Sequence, residues 1–225
     1  CPNRCILSEY ERGECGVRIH VGGKLYSLVY GNPCAVHVDP IEKKPMYHVL
    51  PGTRAFSIAT AGCCLHCRYC QNWTISQKKP EEVNNLDMPP SRVLALAKAK
   101  GCRSIAYTYS EPTVFFEYVY DTAALAKEEG LLNVNVTSGY IEKEPCKKLC
   151  QVIHAANVDL KGFSDDFYRE VCGGRLKPVL EALMTMREGG TFIEITNLLV
   201  PGYNDDEKTF AKMCRWIVEN LGSDT

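Results

Sequence analysis

From Arg54 onward, a short apolar run of strand character gives way five times to a segment of helical period. The runs are Phe56 to Ala61, Ser104 to Ser110, Leu132 to Thr137, Asn157 to Leu160 and Phe192 to Val200. The helix opened by Pro89, Pro90 and Ser91 puts Val93, Leu96 and Ala97 on one face. The next puts Phe115, Tyr118, Val119, Thr122, Leu125 and Ala126 on one stripe and stops at Gly130. Helices are also expected over Glu142 to His154, Asp165 to Val171 and Leu176 to Arg187, and a last one carries Phe210, Met213, Cys214, Ile217 and Leu221. Repeated βα units imply an α/β fold with a parallel sheet and outer helices. Right-handed crossovers curl such a sheet into a barrel or partial barrel. The sequence stops on a helix with no closing strand, so at least one C-terminal strand of the barrel is expected to be missing.

The first 53 residues differ in character and are expected to form a β-rich, cysteine-containing appendage, with the barrel over residues 54–225. Lys24 to Tyr30 reads as a strand, and Val36 to Val49 as a hairpin around Glu42-Lys43-Lys44-Pro45. A net charge of −1 gives no bulk electrostatic reason to expect a polyanion partner. No apolar run approaches the roughly 20 residues of a membrane span. Thirteen cysteines, an odd number in a chain of this length, fit metal-bound and free thiols in a reducing, cytoplasmic setting better than a disulfide framework.

Three of those cysteines carry chemistry. Cys63, Cys67 and Cys70 follow the first strand run with x3 and x2 spacing. Fully ligated iron–sulfur clusters use four cysteines. Three thiolates hold three irons of a cubane and leave the fourth open, as catalytic metal centres keep an open position. Two other readings stand beside this one: a zinc site with Cys64 or His66 as a fourth ligand, and a thiol–disulfide pair of Cys67 and Cys70. Cys102, Cys146, Cys150, Cys172 and Cys214 read as core thiols on apolar faces. Cys1, Cys5 and Cys15 are a further candidate set for zinc or a second cluster.

In βα barrels ligand chemistry gathers at the C-terminal ends of the strands. Here those ends carry the cysteine loop, Ser110-Glu111, Thr137-Ser138-Gly139, Asp159 and Lys161, and Asn197 to Gly202. Small polar and charged residues are costly to bury without partners, so a shared site explains their recurrence better than a core does. For Glu111 a helix N-terminal carboxylate is the plainer alternative, and for Asp159 and Lys161 a mutual salt bridge.

The cysteine loop, with Tyr69 just before its last cysteine, resembles that of the radical S-adenosylmethionine (radical SAM) superfamily. Ser110-Glu111-Pro112 is similar to the family's Gly-Gly-Glu-Pro segment, with Tyr109 and Ser110 replacing both glycines. Thr137-Ser138-Gly139 falls where related activases have Thr-Asn-Gly, and Asp159-Leu160-Lys161 resembles the Asp-Leu-Lys of pyruvate formate-lyase activating enzymes. Tyr69 to Trp73, Tyr107 to Pro112, Asp159 to Phe163, Cys172 to Leu176 and Leu199 to Asp205 are most similar to the radical SAM enzymes of the AmmeMemoRadiSam system.

The resemblance implies a partial (βα) barrel of the radical SAM type, a 4Fe-4S cluster on Cys63, Cys67 and Cys70, and SAM on its open iron. Reductive cleavage of SAM would give a 5′-deoxyadenosyl radical that takes hydrogen from a substrate. It implies Glu111 and Ser110 for the SAM ammonium, Tyr69 and Gln71 for adenine, and Ser138, Asp159 and Lys161 for ribose or carboxylate. It also implies a one-electron donor of ferredoxin or flavodoxin type. The substrate stays open between a protein, as for a glycyl-radical activase, a nucleic-acid base and a small metabolite.

Overall fold

The computed structural model describes residues 1–225. Eight strands lie along the chain: β1 (Arg18–Val21), β2 (Lys24–Ser27), β3 (Ala35–Pro40), β4 (Arg54–Ala59), β5 (Ser104–Tyr107), β6 (Leu132–Thr137), β7 (Ala155–Asp159) and β8 (Phe192–Thr196). The seven helices are α1 (Trp73–Ser76), α2 (Pro90–Ala99), α3 (Phe116–Glu128), α4 (Lys143–Cys150), α5 (Asp165–Phe167), α6 (Leu176–Glu188) and α7 (Glu207–Asn220). The main sheet runs β3-β4-β5-β6-β7-β8, with β4 to β8 all parallel, as repeated βα units require. An α/β partial barrel is therefore the fold, with a small N-terminal hairpin beside it.

Alternation along each strand divides the core in two. Phe56, Ile58, Ile105, Tyr107, Val158 and Ile193 face outward and pack with helix residues such as Val93, Val119, Val179 and Leu183. On the inner face, Ala55, Ala106, Val134 and Ala155 form a separate cluster with Ile41 and Met46. These side chains are small because something else fills the lumen.

The filler is the segment expected to be a surface hairpin. Instead of folding back on itself over Val36 to Val49, the chain places β3 antiparallel to β4, with Ala35 opposite Ala59 and Pro40 opposite Arg54. A single 3-10 turn, Ile41–Lys43, follows, and the chain crosses the inner face of the sheet. Ile41 and Met46 are fully buried there. At about 25 cal/mol per Å² of apolar surface, burying two such side chains outweighs a solvent-exposed turn at Glu42-Lys43-Lys44-Pro45. The far end of this plug is fastened by Asn157, whose Nδ2 donates to the Pro45 carbonyl (3.0 Å), and by Glu194, which accepts from the Tyr47 and His48 amides (3.0 Å each).

The true hairpin lies earlier. β1 and β2 pair through Gly22 and Gly23, both with positive φ, as a two-residue turn demands. It docks through Val17, which is buried in the main core, and through Arg18, whose guanidinium donates to the Val114 carbonyl (3.0 Å) and pairs with Glu117 (2.6 Å). β8 ends at Thr196 rather than Val200, and α5 passes into one π-helical turn, Tyr168–Cys172.

Candidate active site

The C-terminal ends of the parallel strands enclose a cavity of about 490 Å³. Cys63, Cys67, Cys70, Tyr69, Gln71, Ser110, Glu111, Ser138, Asp159 and Lys161 all line it. These ten candidate residues therefore meet in one place, although they are spread over nearly a hundred positions of sequence, whereas Gly139, Asn197 and Leu199 to Gly202 do not line the cavity.

The cysteine loop is positioned by backbone geometry. Gly62 turns the chain out of β4 at φ +89°, and a Cβ there would lie 2.6 Å from the Cys15 carbonyl oxygen and from Val17 Cγ1. Only glycine fits such a turn and such an approach. Farther along, the His66 amide donates to the Cys172 carbonyl (2.8 Å) and the Arg68 amide to the Val171 carbonyl (2.9 Å), so the π-helical turn backs the loop. A Cβ on Gly174, just past that turn, would meet Leu65 Cδ2 at 2.5 Å. The Cys63 sulfur accepts from the Leu65 amide (3.4 Å), and Cys70 Sγ lies 3.2 Å from Ser76 Oγ.

Neither zinc candidate reaches the cavity. Cys64 is fully buried with its thiol toward the Tyr140 carbonyl (3.7 Å), and His66 Nδ1 bonds Gln77 Oε1 (2.6 Å). No three Cys, His, Asp or Glu side chains converge tightly enough to hold a single metal ion, and this includes Cys1, Cys5 and Cys15.

Glu111 is almost fully buried and already subscribed. Its Oε1 accepts from the Thr113 amide (3.0 Å), Thr113 Oγ1 (2.8 Å) and Thr137 Oγ1 (2.7 Å). Its Oε2 accepts from the Ser138 amide (2.9 Å) and Ser138 Oγ (2.6 Å). Five donors exceed the roughly four lone-pair sites of a carboxylate, so Glu111 ties the end of β5 to the end of β6 and Ser138 serves that tie. Ser110 is different: the residue lines the cavity, and its Oγ is buried without a hydrogen-bond partner. Asp159 and Lys161 form the salt bridge (2.9 Å) and still border the cavity. Burial alone would lower the Lys161 ammonium, but the Asp159 carboxylate holds it above its ordinary value. The Tyr69 ring stacks on Phe167 and its hydroxyl lies 3.7 Å from Cys172 Sγ, whereas Gln71 is exposed at the rim.

Sequence reasoning missed the opposite wall. Lys43, Pro45, Thr108, Tyr109 and Thr196 also line the cavity, with Leu198 from the expected Asn197 to Gly202 segment. Tyr109 takes a left-handed backbone (φ +64°) where the resembling motif has glycine, and its side chain drops into the lumen. There its hydroxyl donates to Asp39 Oδ2, while buried Lys44 donates to the same oxygen (2.7 Å) and to the Tyr109 hydroxyl (3.0 Å). Lys44 also sits 4.1 Å from the centre of the Tyr109 ring. Burial alone would raise Asp39, but hydrogen bonds from Lys44, Tyr109 and Lys43 hold it well below the usual carboxylate range. The available signal was a doubled lysine in a stretch also rich in apolar residues.

Comparison with known proteins bears on the family and the fold. The model of the radical SAM superfamily matches residues 57–214. An uncharacterized protein of Methanocaldococcus jannaschii is 44% identical over 225 residues, covering 100% of this chain and 67% of its own length. The pyruvate formate-lyase 1-activating enzyme of Escherichia coli K12 is 25% identical over 162 residues, covering 70% and 65% respectively. The chain thus spans about two thirds of the length of the curated relatives it matches. Among solved structures, QueE of Escherichia coli superposes with a TM-score of 0.53 at 15% identity, over 86% of this chain and 80% of that one. SuiB of Streptococcus suis, bound to S-adenosylmethionine, gives a TM-score of 0.57 at 16% identity, over 74% and 39%.

Proposed function

This chain belongs to the radical SAM superfamily, and from that premise we propose that Cys63, Cys67 and Cys70 hold a 4Fe-4S cluster that binds SAM in the cavity at the strand ends. Members of the superfamily are enzymes that use such a cluster and SAM and need a reductant and a substrate. The residues present fit both groups. The observation that carries the reading is the convergence of three cysteines from one loop with Ser110, Glu111, Asp159 and Lys161 on one cavity.

When bound, the cluster and SAM supply one-electron cleavage of a sulfonium bond and hydrogen-atom abstraction from a substrate. The chain's own residues orient and shield. Ser110, a lining residue, stands at the methionyl end of SAM. Glu111 holds this edge of the site by binding the next strand end rather than by meeting the ammonium with a free oxygen. Lys161, held charged by Asp159, is placed for a carboxylate, and Asp159 for ribose hydroxyls. Tyr69 and Gln71 border the space left for adenine. Leu65, Val136 and Leu198 give the lining its apolar share and limit water.

The substrate is a molecule that loses a hydrogen atom at this cavity. A glycyl-radical activase is the second reading, supported by the pyruvate formate-lyase activating enzymes at 25% identity. GTP 3′,8-cyclases at 28% identity stand at a similar distance, so the general reading is preferred. The test is to reduce anaerobically reconstituted protein with dithionite, add SAM and quantify 5′-deoxyadenosine and methionine. Equimolar amounts of both are expected. Intact SAM, with a cluster present and reduced, contradicts the proposal.

A further inference from the structure

Asp39 is asked to balance two lysines. Lys44 takes its Oδ2, is wholly buried and finds its remaining contact on Tyr109, so that pair is neutral and closed. Lys43 takes Oδ1 (2.9 Å), and 62% of its side chain is exposed. Only one of its three N–H donors is used. The Asp39–Lys44–Lys43 group therefore carries one net positive charge, presented to the cavity by Lys43, while the lining carboxylate of Glu111 is capped by five neutral donors. Lys161 adds no further surplus because Asp159 neutralises it.

A second donor stands on the same wall. Asn157 Nδ2 bridges the Pro45 carbonyl (3.0 Å) and Thr196 Oγ1 (2.9 Å), which ties Thr196 to the plug two residues from Lys43. Thr196 Oγ1 accepts that bond, so its hydrogen is free to be donated into the cavity it lines. A charged ammonium and a free hydroxyl lining one concave site make a receptor for an oxyanion.

We infer that the plug supplies the substrate half of the site, and that Lys43, with Thr196, binds an anionic oxygen group of the substrate, a carboxylate or a phosphate. The inference rests on the SAM reading above, because only then is the plug wall free for a substrate. Lys44, Asp39 and Tyr109 are positioning residues that hold the Lys43 backbone and side chain in place. Tyr109 also ties this wall to the Ser110-Glu111 segment, so the substrate half and the cofactor half share one rigid element.

The experiment titrates reconstituted, SAM-loaded protein with inorganic phosphate and separately with malonate, using isothermal titration calorimetry. Wild type is compared with Lys43→Gln and with Lys24→Gln, an exposed lysine of β2 outside the cavity. One-to-one binding of at least one anion is expected, weakened about tenfold by Lys43→Gln and unchanged by Lys24→Gln. The preferred anion tells phosphate from carboxylate. SAM affinity, measured in the same series, is expected to be equal in all three proteins. Absence of one-to-one anion binding in the wild type, or equal loss in both variants, overturns the inference while leaving SAM binding intact. Absence of SAM binding in every protein instead overturns the reading beneath it.

Discussion

Glu111 shows how a residue with a motif role can have a second one. Its carboxylate is buried under five hydrogen bonds, and bonds to charged groups contribute about 1.5–3 kcal/mol each in favourable cases. Glu111→Ala should lower unfolding free energy by about 3 kcal/mol in urea titration, and SAM affinity should fall with it; a stable variant with lost SAM binding would restore the direct ammonium contact. Asp39 gives a pH dependence whose sign is fixed. Its folded-state pKa is depressed, so its contribution is present above its unfolded value of about 4 and is lost as pH falls below that. The stability gap between wild type and Asp39→Asn should therefore be widest near pH 7 and narrow below about pH 4 in thermal melts. The cysteines, Ser110, Asp159 and Lys161 were legible at this scale because each stands in a spaced motif at a strand end. Lys43 and Tyr109 were not, because their meaning depends on a segment 65 residues away crossing the lumen.

The plug and the cysteine loop are the two elements that make the site. Inner-face alanines have no purpose in a sheet that faces solvent, and here they leave room for Ile41 and Met46. Met46→Ala should cost about 2–4 kcal/mol, the usual range for emptying a buried methionine-sized volume, read as a lowered melting temperature. The loop is exposed to a different fault: Gly62→Ala drives a Cβ into the Cys15 carbonyl at positive φ. It should lose about 2 kcal/mol of stability, and iron incorporation should fall in parallel by metal analysis. The parallel βα elements were readable because their apolar period is unambiguous over whole segments. The plug was misread as a hairpin because Glu42-Lys43-Lys44-Pro45 has turn composition, and only the pairing of β3 with β4 commits it to the lumen. Gly22-Gly23 carried the hairpin signal instead.

At the scale of the molecule, a C-shaped sheet gathers residues from five strand ends and one N-terminal segment around a single cavity. The parallel order follows from crossovers through outer helices, so the site's location was fixed by topology once the βα period was read. No helix is long and apolar enough to cross a membrane. The central claim is that Cys63, Cys67 and Cys70 hold an open-sited cluster, and iron and acid-labile sulfide analysis after anaerobic reconstitution tests it most directly, in the wild type and in Cys63→Ala, Cys67→Ala and Cys70→Ala. Roughly four irons and four sulfides per chain are expected in the wild type, with each single variant losing most of both while remaining folded by circular dichroism. Zinc without sulfide in the wild type, or undiminished iron and sulfide in any of the three variants, would contradict the account.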